Sequence, residues 1–248
     1  MVLCSRTHST CTLAVALCTD IDECAEFGAC SQICTNLIGS YKCSCYEDYH
    51  HDFYNPSMCK VDRSLHDEPA LIFAHRFDMR RITLHTGHYQ VLLNNTRSSV
   101  ALDFDYVNKR VYYSDVAEEK IRVHDINRPM SNEDVLTEDI NTPDGLAFDW
   151  VHQNLYWTDT YDNTISVYSV EQEIRKTLFN TALDEPRAIV VDPREDQLSL
   201  YWSDWGAVPK IERSGLDGRD RQTIAVNGTL VWPNGLTIGK SKRTYVSQ

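Results

Sequence analysis

From residue 70 onward, apolar and polar positions alternate in short runs. The clearest run is Thr164-Ile165-Ser166-Val167-Tyr168-Ser169-Val170, whose period of two places successive side chains on opposite faces of a strand. Comparable strands open at Ile121 and Ile211. Three apolar stretches precede them and end on aspartate: Ala101 to Asp105, Gly145 to Asp149 and Ala188 to Asp192. Such short, aromatic, β-branched runs predict small antiparallel sheets. Between each apolar stretch and its alternating strand stands a related tetrapeptide. Tyr112-Tyr113-Ser114-Asp115, Tyr156-Trp157-Thr158-Asp159 and Tyr201-Trp202-Ser203-Asp204 recur at intervals of 44 and 45 residues. Pro143, Pro186 and Pro233 head successive units. A repeat of about 40 to 45 residues with four strands has the size of a propeller blade. A β-sandwich also uses short strands, but it would not repeat one tetrapeptide at constant spacing.

The repeats are not identical. The first carries Tyr113 where the others have Trp, and the third has two extra residues around Arg194 to Gln197. A fourth has Gly239 where Asp is expected and ends in Tyr245-Val246-Ser247-Gln248. Residues 70–248 are thus expected to supply about three and a half blades. An open propeller leaves an unpaired strand edge, so the 248 residues alone are not expected to form a competent propeller.

The cysteines separate this segment from a different N-terminal one. All nine lie before residue 60, which marks a domain boundary there. Six of them, Cys24, Cys30, Cys34, Cys43, Cys45 and Cys59, allow 15 pairings. A segment of about 40 residues with few aliphatic side chains builds no sufficient core, so disulfides must stabilise it, in an oxidising compartment. Zinc is the competing use, through Cys30 with Cys34 and Cys43 with Cys45 plus His50 or His51, but the spacings fit it poorly. Cys4, Cys11 and Cys18 form an odd set without a framework. Residues 1–19 read as an irregular N-terminus. Arg6 and the run Leu13 to Cys18, with Ala14 and Ala16, give a weak signal-like pattern, and a truncated preceding module is the alternative.

Net charge is −12, which disfavours nucleic acid as a partner. No apolar run approaches the roughly 18 to 20 residues of a transmembrane helix. No Gly-x-Ser-x-Gly, His-Glu-x-x-His or phosphate-cradling glycine loop occurs, so the expectation is a binding protein without catalytic residues.

The cysteine spacing resembles an EGF-like module over residues 20–61, followed by a linker at 62–69. The resemblance implies the pairings Cys24–Cys34, Cys30–Cys43 and Cys45–Cys59. Asp20-Ile21-Asp22-Glu23-Cys24 and Cys34-Thr35-Asn36-Leu37-Ile38-Gly39-Ser40-Tyr41-Lys42-Cys43 look like its calcium-binding subclass. Calcium takes six to eight hard oxygen ligands at about 2.3 to 2.6 Å. Asp20, Glu23 and Asn36 offer side-chain oxygens. By the same resemblance, Ile21, Leu37 and Ser40 add main-chain carbonyls, with Gly39 easing the turn.

The tetrapeptides resemble the YWTD repeats of the low-density lipoprotein receptor family. Pro143-Asp144-Gly145-Leu146-Ala147, Pro186-Arg187-Ala188-Ile189-Val190-Val191-Asp192-Pro193 and Trp232-Pro233-Asn234-Gly235-Leu236 strengthen the match. The family closes six blades. Its aromatic pairs (Tyr112 and Tyr113, Tyr156 and Trp157, Tyr201 and Trp202) would pack between blades, while Asp115, Asp159 and Asp204 fix the strand. A calcium-binding EGF-like module feeding a propeller looks like a receptor for lipoproteins, very-low-density lipoproteins or yolk proteins. The implied role is the extracellular part of an endocytic receptor that binds calcium and supports ligand uptake and pH-dependent release. Cargo would bind through neighbouring modules, in a single-pass parent at the cell surface and in the secretory and endocytic pathway. The second expectation is a matrix adhesion glycoprotein of the nidogen type, using the propeller as a static protein-binding module. Flanking sequence discriminates them: acidic cysteine-rich repeats upstream and a membrane span with an endocytosis signal downstream favour the receptor.

Histidine is the natural switch between about pH 5 and 8, but His75, His85, His88, His124 and His152 match no release position and read as exposed loop residues. Trp232 is a candidate contact, and Asn94 and Asn227 are candidate glycosylation sites.

Overall fold

The computed structural model describes residues 9–11, 18–25, 29–46, 49–61, 68–128, 130–194, 198–226, 230–239 and 244–247. Cys4, most of the signal-like run from Leu13, residues 62–67 of the linker, residues 195–197 of the third repeat's extra stretch and Asn227 lie outside them. The chain divides into two compact units, Met1–Pro69 and Ala70–Gln248.

Among its described residues the first unit contains three antiparallel pairs: β1 (Ser9–Cys11) with β2 (Cys18–Asp20), β3 (Ile33–Leu37) with β4 (Ser40–Ser44), and β5 (Tyr49–His51) with β6 (Cys59–Val61). A 3-10 turn at Glu23–Ala25 lies between the first two pairs. None of the residues whose burial is described here is fully buried. The structure instead joins Cys24 to Cys34, Cys30 to Cys43 and Cys45 to Cys59. Each loop closure is worth roughly 2 to 4 kcal/mol.

The second unit is a series of sheets. β7 (Ala70–Thr83) and β8 (Tyr89–Asp105) form a long hairpin. The end of β8, from Ser99 to Asp105, continues into the first blade with β9 (Arg110–Asp115), β10 (Lys120–Asp125) and β11 (Glu133–Leu136). β12 (Pro143–Asp149), β13 (Asn154–Asp159), β14 (Thr164–Ser169) and β15 (Ile174–Phe179) form the second blade. β16 (Pro186–Asp192), β17 (Ser199–Asp204), β18 (Lys210–Gly215) and β19 (Gln222–Val226) form the third. β20 (Gly235–Ile238) and β21 (Thr244–Ser247) pair as the first two strands of a fourth. First strands pack on one another in series, β8 on β12, β12 on β16 and β16 on β20.

Strand alternation explains the core. Along the motif strand, the first aromatic faces the following blade and the second faces the preceding one. Tyr112 therefore stacks on Phe148 of the second blade, with centroids 4.9 Å apart. Trp157 faces back into the same cluster with Ile121, Ile140 and Leu146. Tyr156 faces forward among Ile189, Val191 and Leu200, where Trp202 faces back. Tyr113 and Val111 close the first blade against Met79 of the hairpin. Among these motif aromatics Tyr201 is only half-buried.

The β7–β8 hairpin carries no tetrapeptide, and the repeat count passes over it. Among the described residues there are thus three four-stranded blades, two strands of a fourth and this additional hairpin.

Candidate calcium centre and blade framework

The candidate calcium ligands gather at one end of the β3–β4 hairpin. Its turn is Ile38-Gly39, with Leu37 opposite Ser40 and Asn36 opposite Tyr41. Gly39 has φ of 78°, a left-handed conformation that favours glycine and lets two residues reverse the chain. The Asp20 carboxylate reaches this end from β2. It accepts a hydrogen bond from Asn36 Nδ2 at 2.8 Å and another from Gly39 N at 2.5 Å. Asp20, Asn36 and the Leu37–Ser40 turn are therefore brought together across 16 to 19 residues of sequence. Ile21 and Glu23 follow directly, and the Cys24–Cys34 bridge ties their segment to β3. Asp22 caps the same segment by accepting from Cys24 N at 3.0 Å. A carboxylate, an amide and a turn rich in main-chain carbonyls form a hard-oxygen donor set, which suits calcium. Asp20, Glu23 and Asn36 would hold the ion through side chains, with Ile21, Leu37 and Ser40 adding carbonyls.

Zinc has no comparable set. Among the described residues, Cys45, His51 and Cys59 are the one place where three such ligand atoms converge. Both cysteines there are consumed in a disulfide. His51 Nδ1 instead lies 2.7 Å from the Pro56 carbonyl oxygen. Where the β5–β6 loop leaves its strands, Lys60 of β6 pairs with Asp52, which directly follows β5. That hydrogen bond, helped by Tyr54 N, holds the Asp52 carboxyl below the usual carboxylate range.

In the second unit each motif aspartate joins the chain entering its blade to the motif strand. Asp115 accepts from Arg97 N and Ser98 N at 2.8 and 2.9 Å. Asp159 accepts from Asn141 N and Thr142 N, at 2.8 and 3.1 Å, and from Tyr161 N. Asp204 accepts from Asp184 N at 3.0 Å. Burial raises the Asp204 carboxyl against the lowering effect of that backbone bond and of Lys210. A second aspartate per blade, at the end of each apolar stretch, is equally buried. Asp105, Asp149 and Asp192 accept from backbone N–H groups of the turn that follows them. Their constant position just ahead of the motif was the available signal for this role.

Gly145 explains the Pro-Asp-Gly segment. A Cβ there would run into the Arg187 carbonyl oxygen, which already accepts from Thr158 Oγ1 at 2.6 Å. The second and third blades thus approach as closely as backbone allows. Nearby, Arg187 lies over the Trp205 ring at 3.9 Å and pairs with Asp144 at 3.1 Å. The Trp205 indole donates to the Pro233 carbonyl at 3.1 Å. This chain of contacts fixes the turn that carries Trp232, which is 62% exposed.

The histidines are not all loop residues. His124 lies in β10, is 1% exposed, and has Nδ1 2.6 Å from the Ser131 carbonyl oxygen. His75 sits 3.4 Å from Asp78, and His152 Nδ1 lies 2.8 Å from Asp149. Asn94 is exposed in β8, while the Thr96 hydroxyl of its sequon is buried and donates to the Arg76 carbonyl oxygen at 3.0 Å.

Comparison with known proteins decides the assignment of these modules. Residues 20–59 match the family described as calcium-binding EGF domain. Residues 153–193 and 199–238 match low-density lipoprotein receptor repeat class B. The chain thus combines a calcium-binding EGF module with class B repeats of the low-density lipoprotein receptor type. It is 29% identical over 229 residues, 89% of its length, to the vitellogenin receptor Yl of Drosophila melanogaster, and spans 11% of that relative. A solved structure of a nidogen/laminin complex contains a chain 32% identical, with a TM-score of 0.64, over 68% of this chain and 66% of that one. A gluconolactonase of Xanthomonas campestris is 14% identical with a TM-score of 0.59, covering 72% of this chain and 65% of that one. At that identity the likeness shows the propeller fold alone. EGF-like and class B modules of this receptor family are non-enzymatic binding domains. Among the described residues no helix is long and apolar enough to cross a membrane.

Proposed function

We propose that this chain is an extracellular portion of an endocytic lipoprotein-receptor-like protein, in which the EGF-like unit holds calcium and the propeller supports uptake and acid release of a protein ligand. The observation that carries the reading is similarity to a vitellogenin receptor across both units, through 89% of the chain. Asp20, Asn36 and the Leu37–Ser40 turn are the calcium ligands in this reading, with Ile21 and Glu23 completing the set. Trp232 is the propeller's contact residue, Asn94 and Asn227 carry glycans, and cargo such as lipoprotein or yolk protein engages neighbouring modules.

The calcium half is tested by isothermal titration of the chelator-treated chain with calcium, alongside limited proteolysis of residues 20–59. Saturable uptake with added protection is the expected result, and Asp20→Asn should abolish both. Unchanged protease sensitivity with and without chelator would sink the assignment.

The nidogen likeness favours a second reading, a matrix protein that uses the propeller for static adhesion. Sequencing the transcript on both sides separates the two. Acidic cysteine-rich repeats upstream and a membrane span with an endocytosis signal downstream belong to the receptor alone.

A further inference from the structure

Two equivalent positions in successive blades differ sharply. In the first blade, Arg110, Val123, Asp125, Arg128, Ser131 and Glu133 enclose a remnant space of about 20 Å³. The Arg128–Asp125 ion pair at 2.8 Å and the Ser131 hydroxyl bonded to Asp125 N fill the rest. At the matching strand positions the second blade has Asn154, Val167, Ser169, Gln172, Ile174 and Lys176. None of these six side chains forms an ion pair among the described residues. The result is an open slot of about 610 Å³, walled on its far side by Leu198 and Leu216 of the third blade. Its size falls within the roughly 300 to 1,000 Å³ of small-molecule sites, which combine apolar walls with few polar groups.

Its charges are unequal. Asp149, at the inner end, is buried and engaged by His152 at 2.8 Å. Asp217, at the rim, pairs with Arg219 at 3.4 Å. Glu171 and Glu173 belong to the β14–β15 turn but do not line the slot, and Glu173 acts on Tyr168, which faces the opposite side of the sheet. Lys176 is exposed, stands opposite Val167 across the β14–β15 ladder, and makes no ion pair among the described residues. Lys176 is therefore a lining cation with no ion-pair partner among the described residues, set beside the apolar walls of the slot.

We propose that this slot binds an amphipathic carboxylate of the fatty-acid class, with its chain along Val167, Ile174, Leu178, Leu198 and Leu216 and its head group at Lys176. Neither side alone suffices: an isolated surface lysine holds anions weakly, and an apolar slot alone does not select a head group. Together they select a molecule with both features.

The test titrates the full chain with decanoate, decylammonium and 1-decanol by calorimetry, below their micelle-forming concentrations. Decanoate should bind one per chain with a dissociation constant on the order of 10 to 100 μM. Decylammonium should bind at least about tenfold more weakly, with 1-decanol between them. Lys176→Glu and Ile174→Glu replace exposed side chains, leave the melting transition in place, and should each weaken decanoate about tenfold or more. Leu178→Trp, which fills the slot, should do the same. Equal affinity for the three probes, no saturable binding, or decanoate affinity unchanged by Lys176→Glu and Leu178→Trp would overturn the proposal.

Discussion

The two units of this chain achieve order by opposite means. In the EGF-like unit no residue of described burial is fully buried, and three disulfides hold strands of three to five residues. In the propeller unit none of the nine cysteines is present, while Trp157, Trp202, Tyr112 and Tyr156 are almost wholly buried between blades. Below a certain size a chain cannot enclose enough apolar surface, so cross-links substitute for a core. A repeat escapes that limit because each sheet covers its neighbour. Responses to chemistry and to mutation should therefore separate.

The largest separation is expected on reduction. Dithiothreitol should unfold residues 20–59, since each of three bridges contributes roughly 2 to 4 kcal/mol, and should leave the melting transition of the propeller unit within a degree or two. Limited proteolysis followed by mass spectrometry reads both units in one sample. Parallel loss of both would show that the propeller depends on the cross-linked unit and would break the contrast.

Within the propeller the reverse sensitivity holds. Trp157→Ala should cost about 3 to 5 kcal/mol, because Trp157 is 0% exposed and shares a cluster with Tyr112 and Phe148 of two blades. Trp157→Phe should cost much less. The indole Nε1 is buried without a hydrogen-bond partner among the described residues, and phenylalanine removes that unsatisfied donor while keeping a ring. Denaturant unfolding of both variants checks the difference, and equal losses would mean that ring size alone decides.

A smaller effect comes from the third blade. Glu212 is 5% exposed and accepts from Arg221 Nη2 at 2.6 Å, with Lys210 at 3.2 Å. Burial pushes its carboxyl upward, but Arg221 and Lys210 outweigh this and hold it below 4.5. A depressed carboxyl contributes stability that is present above its unfolded value and is lost as pH falls through the folded one. Glu212→Gln should therefore cost about 2 kcal/mol at pH 7, with the gap to the parent shrinking only below about pH 4.5. At pH 5 to 6 the pair therefore remains charged. A gap that closed between pH 7 and 5.5 would contradict that.

Legibility followed the same division. The tetrapeptides announced the blades because one buried aromatic pair and one clamping aspartate recur in each, as at Tyr156, Trp157 and Asp159. The β7–β8 hairpin was not legible because Met79 and Ile72 enter the core without that motif. Asp105 and Asp149 were visible only as ends of apolar runs, although their turn-capping role is as regular as the motif. The gathering of Asp20 with Asn36 was suggested by resemblance, and its geometry depends on a hairpin register that spacing alone does not fix. The slot beside Lys176 was hidden because it arises from exchanges such as Ser131 to Ile174 between equivalent positions, which matter only once the strands are aligned.

The smallest effect concerns the hairpin turns that the blades share. Lys109, Glu119, Gln153, Asn163 and Glu173 each stand just before a strand with φ between 53° and 57°. Only Asn163 is of a type that tolerates this left-handed region readily. Glu119 separates β9 from β10, and its backbone must hold φ at 54° whatever its side chain does. Glycine relieves that strain but adds freedom to the unfolded chain, and the two effects oppose one another. Relief of about 1 to 2 kcal/mol should exceed the entropic loss of about 0.5 to 1 kcal/mol, so Glu119→Gly should stabilise the propeller unit by about 0.5 kcal/mol. Asn163→Gly should be near neutral. The pair, compared by thermal melting, isolates backbone strain from cross-links and core alike, and equal shifts in both variants would remove strain as the cause.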